Sequence, residues 1–217
     1  GALGGVILVG GDYQGGANAD PKYLADTVET TETTSVAAGA VLAAGGSAGA
    51  GGHVVVWSNQ YTDFAGSIVA TGSGSGAGGD AEVSGKAVLG FTGTVDLRSQ
   101  SGVFGTLLLD PYNLTISDAP STGMSGFNAN ADDSVLNVGT LEAALATANV
   151  KVTTGSGGSQ TGDITVASNI LWTSNSTLEL SAYHDVIVDA EIQNGATGSL
   201  ILRADNTGTR AGTVTFG

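Results

Sequence analysis

The sequence predicts an all-β chain: a right-handed parallel β-helix (β-solenoid) with an irregular insert and one short helix. Three observations carry that expectation: a glycine-rich, sparsely charged composition, a 27-residue repeat in the first half and a 22-residue repeat in the second.

Charged residues make up 12% of the chain, against roughly 25% in ordinary globular domains. Gly supplies 36 residues and Pro only 3, without a G-X-Y period, which excludes collagen. Glycine at this density among Val, Thr, Ser and Ala points to short strands joined by tight corners. The net charge is −14 with 6 Lys+Arg, so no basic stripe exists to neutralise phosphates, and nucleic acid is excluded as a partner. The absence of Cys excludes disulfide frameworks, thiolate metal sites and Cys nucleophiles. No run reaches the roughly 18 apolar residues of a membrane helix.

In residues 1–116 the signal Gly-x-Val/Ile recurs at Gly39-Ala40-Val41, Gly66-Ser67-Ile68 and Gly93-Thr94-Val95, with 66 − 39 = 27 and 93 − 66 = 27. A second strand repeats in step with it, its glycines Gly52, Gly79 and Gly105 lying 79 − 52 = 27 and 105 − 79 = 26 apart. Val54 and Val56 follow Gly52, Ala81 and Val83 follow Gly79, and Leu107 and Leu109 follow Gly105. Two strand signals on one period are the mark of stacked parallel sheets. An earlier copy, Gly5 to Val9, lies 52 − 5 = 47 residues before Gly52, which places a polar loop insertion at about 14–34.

Residues 117–149 read as an irregular insert with one short helix at about 141–148. Thr140 is its expected N-cap, Glu142 suits the first turn, and Leu141 and Leu145 share the buried face. In 150–217 the step shortens: Ile164 to Val186, Val166 to Val188, Leu178 to Leu200 and Leu180 to Leu202 are each 22 apart, and Val214 and Phe216 continue the series. Alternation in Leu178-Glu179-Leu180 points Glu179 to solvent. Strand-like sequence at both ends reads as a segment of a longer rod.

Several ordered segments are recognisable together: Val54-Val55-Val56-Trp57-Ser58, Thr62-Asp63-Phe64-Ala65-Gly66-Ser67-Ile68, Glu82-Val83-Ser84-Gly85-Lys86, and Leu107-Leu108-Leu109-Asp110-Pro111-Tyr112-Asn113-Leu114-Thr115-Ile116. With Gly162 to Val166, Trp172-Thr173-Ser174 and Leu202 to Asn206, the series resembles large filamentous-haemagglutinin-like exoproteins, including the high-molecular-weight adhesins of two-partner secretion. The resemblance implies a shaft segment of a secreted or cell-surface protein, exported with an outer-membrane transporter as partner. It implies roles in adhesion or biofilm, with a host or bacterial surface glycan or protein as partner. Open strand edges allow end-to-end self-association.

The alternative is a glycan-active β-helix enzyme, a polysaccharide lyase or hydrolase, which needs converging carboxylates. The acids look scattered along the chain, and no nucleophile elbow surrounds His53 or His184. No catalytic residue is assigned and no enzyme activity is expected. Calcium is the only cofactor with candidate ligands. Asp163 and Asp185 lie 22 apart, so they stack at the start of equivalent strands, and Asp132 and Asp133 form a second acidic pair. The plainer reading of all four is solvated corners. Trp57 and Trp172 are the candidate sugar-stacking residues, with Tyr13, Tyr23, Tyr61, Tyr112 and Tyr183 as further aromatics; the plainer reading of the tryptophans is core columns.

Overall fold

The computed structural model describes residues 3–16, 28–100, 102–125, 128–129, 133–157 and 159–217. It consists largely of short strands stacked in parallel sheets. The longest sheet has seven strands, in the order Val6–Val9, His53–Ser58, Asp80–Gly85, Thr106–Leu109, Asn149–Thr153, Thr177–Ser181 and Ser199–Arg203. Each strand pairs in parallel with the copy before it, so each repeat contributes one layer.

The period of two decides which side chains turn inward. Val54, Val56, Ala81, Val83, Leu107, Leu109, Val150, Val152, Leu178 and Leu180 form columns in one core cluster. A five-stranded sheet faces the same core, in the order Ser134–Asn137, Leu114–Ser117, Ile164–Val166, Val186–Val188 and Val214–Phe216. Earlier layers carry two three-stranded parallel sheets instead, one of Thr33–Val36, Tyr61–Phe64 and Val88–Phe91 and one of Val41–Ala43, Ser67–Val69 and Thr94–Asp96. Inside them Phe64 and Phe91 stack at 5.6 Å between ring centroids and 8° between planes.

The 22-residue step matches the register where Ile164 lies opposite Val186 and Leu178 opposite Leu200. It does not hold throughout 150–217: Val150 lies opposite Leu178, and Val214 and Phe216 lie opposite Val186 and Val188, each 28 residues apart, because longer corners are inserted there. The Gly-x-Val step also departs from the register. Leu42, not Val41, sits opposite Ile68, so the first interval is 26 and only the second, Ile68 to Val95, is 27. Val41 points outward and is exposed. A one-residue slip exchanges the two faces of a strand, and it is Leu42, half-buried against the core, that takes the inner face.

The stretch 117–149 holds more regular structure than its composition suggests. Strand Ser134–Asn137 runs parallel to Leu114–Ser117 but on the side away from the next layer, and Ser134 Oγ accepts the Leu89 N–H at 2.8 Å. The chain therefore steps back to continue the column begun by Val88–Phe91 before moving forward to Ile164–Val166. The helix spans Val138–Leu145, three residues earlier than expected, and its N-cap is Asn137, not Thr140. The Asn137 side chain accepts from the Gly139 and Thr140 N–H groups, and Asn caps as well as any residue. Glu142 consequently lies beyond the first turn, where its carboxylate accepts the Leu171 N–H at 2.8 Å. Leu141 and Leu145 are buried on the inner face, as their spacing requires.

Of the insertion expected at 14–34, Tyr13–Gly16 forms a short turn, Thr33 and Thr34 already belong to strand Thr33–Val36, and 17–27 lie outside the described residues. Gln14, Gly15 and Gly16 all have positive φ, so the chain doubles back sharply here. The turn lies over the outer face of the seven-stranded sheet, against Val55 and Trp57.

Candidate functional site

Two places concentrate polar chemistry. One is the corner ahead of the five-stranded sheet. The register aligns Asp133, Asn113, Asp163, Asp185 and Thr213, each immediately before its strand. Asn113 Oδ1 accepts the Asp163 N–H at 2.9 Å, Asp163 Oδ1 accepts the Asp185 N–H at 2.9 Å, and Asp185 Oδ1 accepts the Thr213 N–H at 2.7 Å. Asn113 Nδ2 reaches back to Asp133 Oδ1 at 3.3 Å. Three of the four candidate calcium ligands thus share one column; Asp132 lies outside the described residues.

His184 joins this column. Its Nδ1 lies 2.9 Å from Asp163 Oδ1 and 3.2 Å from Asp185 Oδ2. The Asp163 contact, joined by the Asp185 charge, raises the imidazole above its usual range. Burial alone would push Asp163 up, but the Thr161 hydroxyl, the Asp185 amide and His184 outweigh it, and its carboxyl sits low. Asp163, His184 and Asp185 each offer a ligand atom within 4.8 Å of the others. Calcium takes about six to eight oxygens, whereas one of these three groups is an imidazole and both carboxylates already accept backbone N–H bonds. The set suits structural clamping better than a calcium cage. The sequence singles out His184 only as lacking a nucleophile elbow; what marks it is its place beside Asp185, one layer beyond Asp163.

The second place is a groove on the outer face of the seven-stranded sheet, beside the turn Tyr13–Gly16. Glu82 stands there opposite Val55 and Leu108, and the turn covers it completely. Its Oε2 accepts the Gln14 N–H at 2.9 Å and its Oε1 accepts the Ser84 hydroxyl at 2.7 Å. Burial pushes the Glu82 carboxyl up to about 7; its two hydrogen bonds act the other way, and the charges of Asp110 and Asp12 add to the rise. Asp110, diagonal to it across the strand pair, is also raised by burial, against the Thr153 hydroxyl and the Lys151 charge. Further along the same outer column Lys151 pairs with Glu179 at 3.0 Å, so Glu179 does point outward.

Beyond Asp110 the groove encloses about 610 Å³ and is lined by Trp57, Lys86, Asp110, Tyr112, Tyr183 and Asn206, among others. Trp57, Lys86, Asp110 and Tyr112 come together here although up to 55 residues separate them (112 − 57). Neither candidate sugar-stacking tryptophan offers an open ring face. Trp172 is 3% exposed in the core and donates from Nε1 to Ser176 O at 3.1 Å. Trp57 is 5% exposed beneath the turn, and its Nε1 has no hydrogen-bond partner among the described residues. Tyr112 and Tyr183 are the aromatics the groove presents instead.

The chain matches no protein-family model, and no curated protein matches it.

Proposed function

We propose that the chain is a right-handed parallel β-helix forming a stretch of the shaft of a large, secreted bacterial surface protein, an adhesin or extracellular filament of the filamentous-haemagglutinin type. The observation that carries this reading is the uninterrupted seven-strand stack, one strand per repeat, with apolar columns running from layer to layer. In such an architecture each layer is stabilised by its two neighbours, and length is added without a new core. The segments that resemble the exoproteins supply the adhesin and secretion part of the proposal, with an outer-membrane transporter as export partner and a surface glycan or protein as target.

Negative-stain electron microscopy tests it. Seven layers at one strand spacing each give rods roughly 34 Å long, and end-to-end stacks give fibres in multiples of that length. Compact globules lacking a long axis would overturn the proposal. The same grids with and without calcium show whether the acidic corners control assembly.

A glycan-active enzyme is the second reading, favoured by one observation: the raised carboxyls of Glu82 and Asp110 lie diagonally on neighbouring strands. Glu82 is closed off by Gln14, so this reading requires the turn to lift. Release of reducing ends from acidic and neutral polysaccharides is its assay.

A further inference from the structure

Just past the seven-stranded sheet the register continues as a column. Leu109 pairs with Val152 and Val152 with Leu180, so the residues three further on, Tyr112, Gly155 and Tyr183, occupy equivalent places in three successive layers. One backbone bond and one side-chain bond keep them aligned: the Gly155 N–H donates to Pro111 O at 3.2 Å, and the Tyr183 N–H donates to the Thr154 hydroxyl oxygen at 3.0 Å. Two tyrosines therefore flank a layer that has no side chain. Their backbones stand two strand spacings apart, about 10 Å.

Glycines also hold the rings. A Cβ on Gly157 would stand 2.1 Å from Tyr112 Cζ, and one on Gly162 would stand 2.6 Å from Tyr183 Cβ. Around the rings, Asp110, Thr154, Ser156, Asn206 and Thr207 place carboxyl, hydroxyl and amide groups on the wall. Asn206 is fixed by its Nδ2 donating to Ser181 O at 3.0 Å and Thr154 O at 3.2 Å. Trp57 also borders this groove but lies nine-tenths buried beneath the turn, against Gly11 and Gly15, so it closes the wall and leaves the ring contacts to the tyrosines.

We propose that this groove is a carbohydrate site that takes a pyranose unit of a glycan, its apolar ring faces against Tyr112 and Tyr183 and its hydroxyls bonded by the polar wall. Aromatic rings beside fixed polar groups match a sugar, which has C–H faces and a hydroxyl rim. Lys86 and Asp110 bring opposite charges to the wall, so the groove selects neither a simple anion nor a simple cation. An extended peptide would seek an unpaired strand edge, and the neighbouring strands are paired on both sides. The site goes beyond the shaft reading and does not depend on it, since the groove is built within one chain.

The experiment screens the full chain against an array of neutral and acidic oligosaccharides and then titrates the bound oligosaccharide calorimetrically. Tyr112→Ala and Tyr183→Ala are each expected to weaken binding at least tenfold, while Tyr112→Phe and Tyr183→Phe, which keep the ring, stay within about threefold. Leu171→Ala, at an exposed position on another sheet, leaves affinity unchanged. Circular dichroism on every variant separates lost binding from lost fold. The proposal is overturned if no oligosaccharide on the array binds, or if binding survives both alanine substitutions in folded protein. Rods without sugar binding would sink this proposal alone; sugar binding by compact globules would sink the shaft reading alone.

Discussion

Replacing Glu82 by Gln keeps the shape of the side chain and removes a proton equilibrium that folding must disturb. The carboxyl has an ordinary value of 4.5 and is pushed up to about 7 beneath the Tyr13–Gly16 turn. A raised value in an acid means that the folded chain holds the proton more tightly than the unfolded chain. Stability from this group is complete below pH 4.5, declines as pH rises towards 7, and is flat above. At ~1.4 kcal/mol per unit, the loss by pH 8 is about 3 kcal/mol. Gln can accept the Gln14 N–H with its oxygen and meet the Ser84 hydroxyl with its amide, so it keeps both contacts without the titration. Glu82→Gln should therefore be neutral at pH 4 and more stable than wild type by about 3 kcal/mol at pH 8. Urea unfolding at pH 4, 5.5 and 8 reads this, followed by Trp57 fluorescence in a Trp172→Phe background so that the signal comes from beneath the turn. Equal effects at pH 4 and pH 8, or a variant less stable at pH 8, would refute the reasoning.

His184 titrates above 6.5 because Asp163 holds its proton, so its contribution is present at acid pH and fades as pH rises through the raised value; Asp163→Asn should bring the imidazole midpoint down, read by NMR of the ring protons. Asp163 works in the opposite direction, contributing above its usual carboxylate range and less as pH falls. Gly105→Ala places a Cβ 1.7 Å from the Gly79 carbonyl oxygen of the adjacent layer, and neither backbone can retreat without breaking the ladder. A loss of about 2–4 kcal/mol is expected there in chemical unfolding, whereas Gly16→Ala, with open space around it, costs only its positive φ, about 1 kcal/mol.

The second half is legible where a layer is a bare repeat: with nothing inserted between Ile164 and Val188, spacing and register coincide. It is not legible where Val150 meets Leu178 and Val186 meets Val214, because six more residues enlarge each of those steps to 28. The first half misleads by one residue at Val41 because Gly-x-Val marks a corner, while Leu42 is the side chain that packs against the core. The insert 117–149 looks irregular in sequence because strand Ser134–Asn137 has no repeat spacing to announce it: it fills a place in an earlier layer. At the corner, the pairing of Asp163 with Asp185 follows from the 22-residue step alone. The groove does not. Glu82 sits on an outward face, and the segment that covers it comes from an insertion 68 residues away, outside any period. Its tyrosines were visible only as aromatics, since the Gly155 gap between them appears once the layers are stacked.

The corner bonds have one more property. Asp80 accepts from Thr106, Asn113 from Asp163, Asn149 from Thr177, Asp163 from Asp185, Asn169 from Glu191 and Asp185 from Thr213. In each of these bonds the side-chain acceptor comes earlier in the chain than its N–H donor. The backbone bonds at the same corners run the other way: the Leu114 N–H donates to Asp163 O, the Ile164 N–H to Asp185 O and the Val186 N–H to Thr213 O. Each corner is therefore tied in both directions, like a seam sewn with crossed stitches, and a layer is locked only when its successor has arrived.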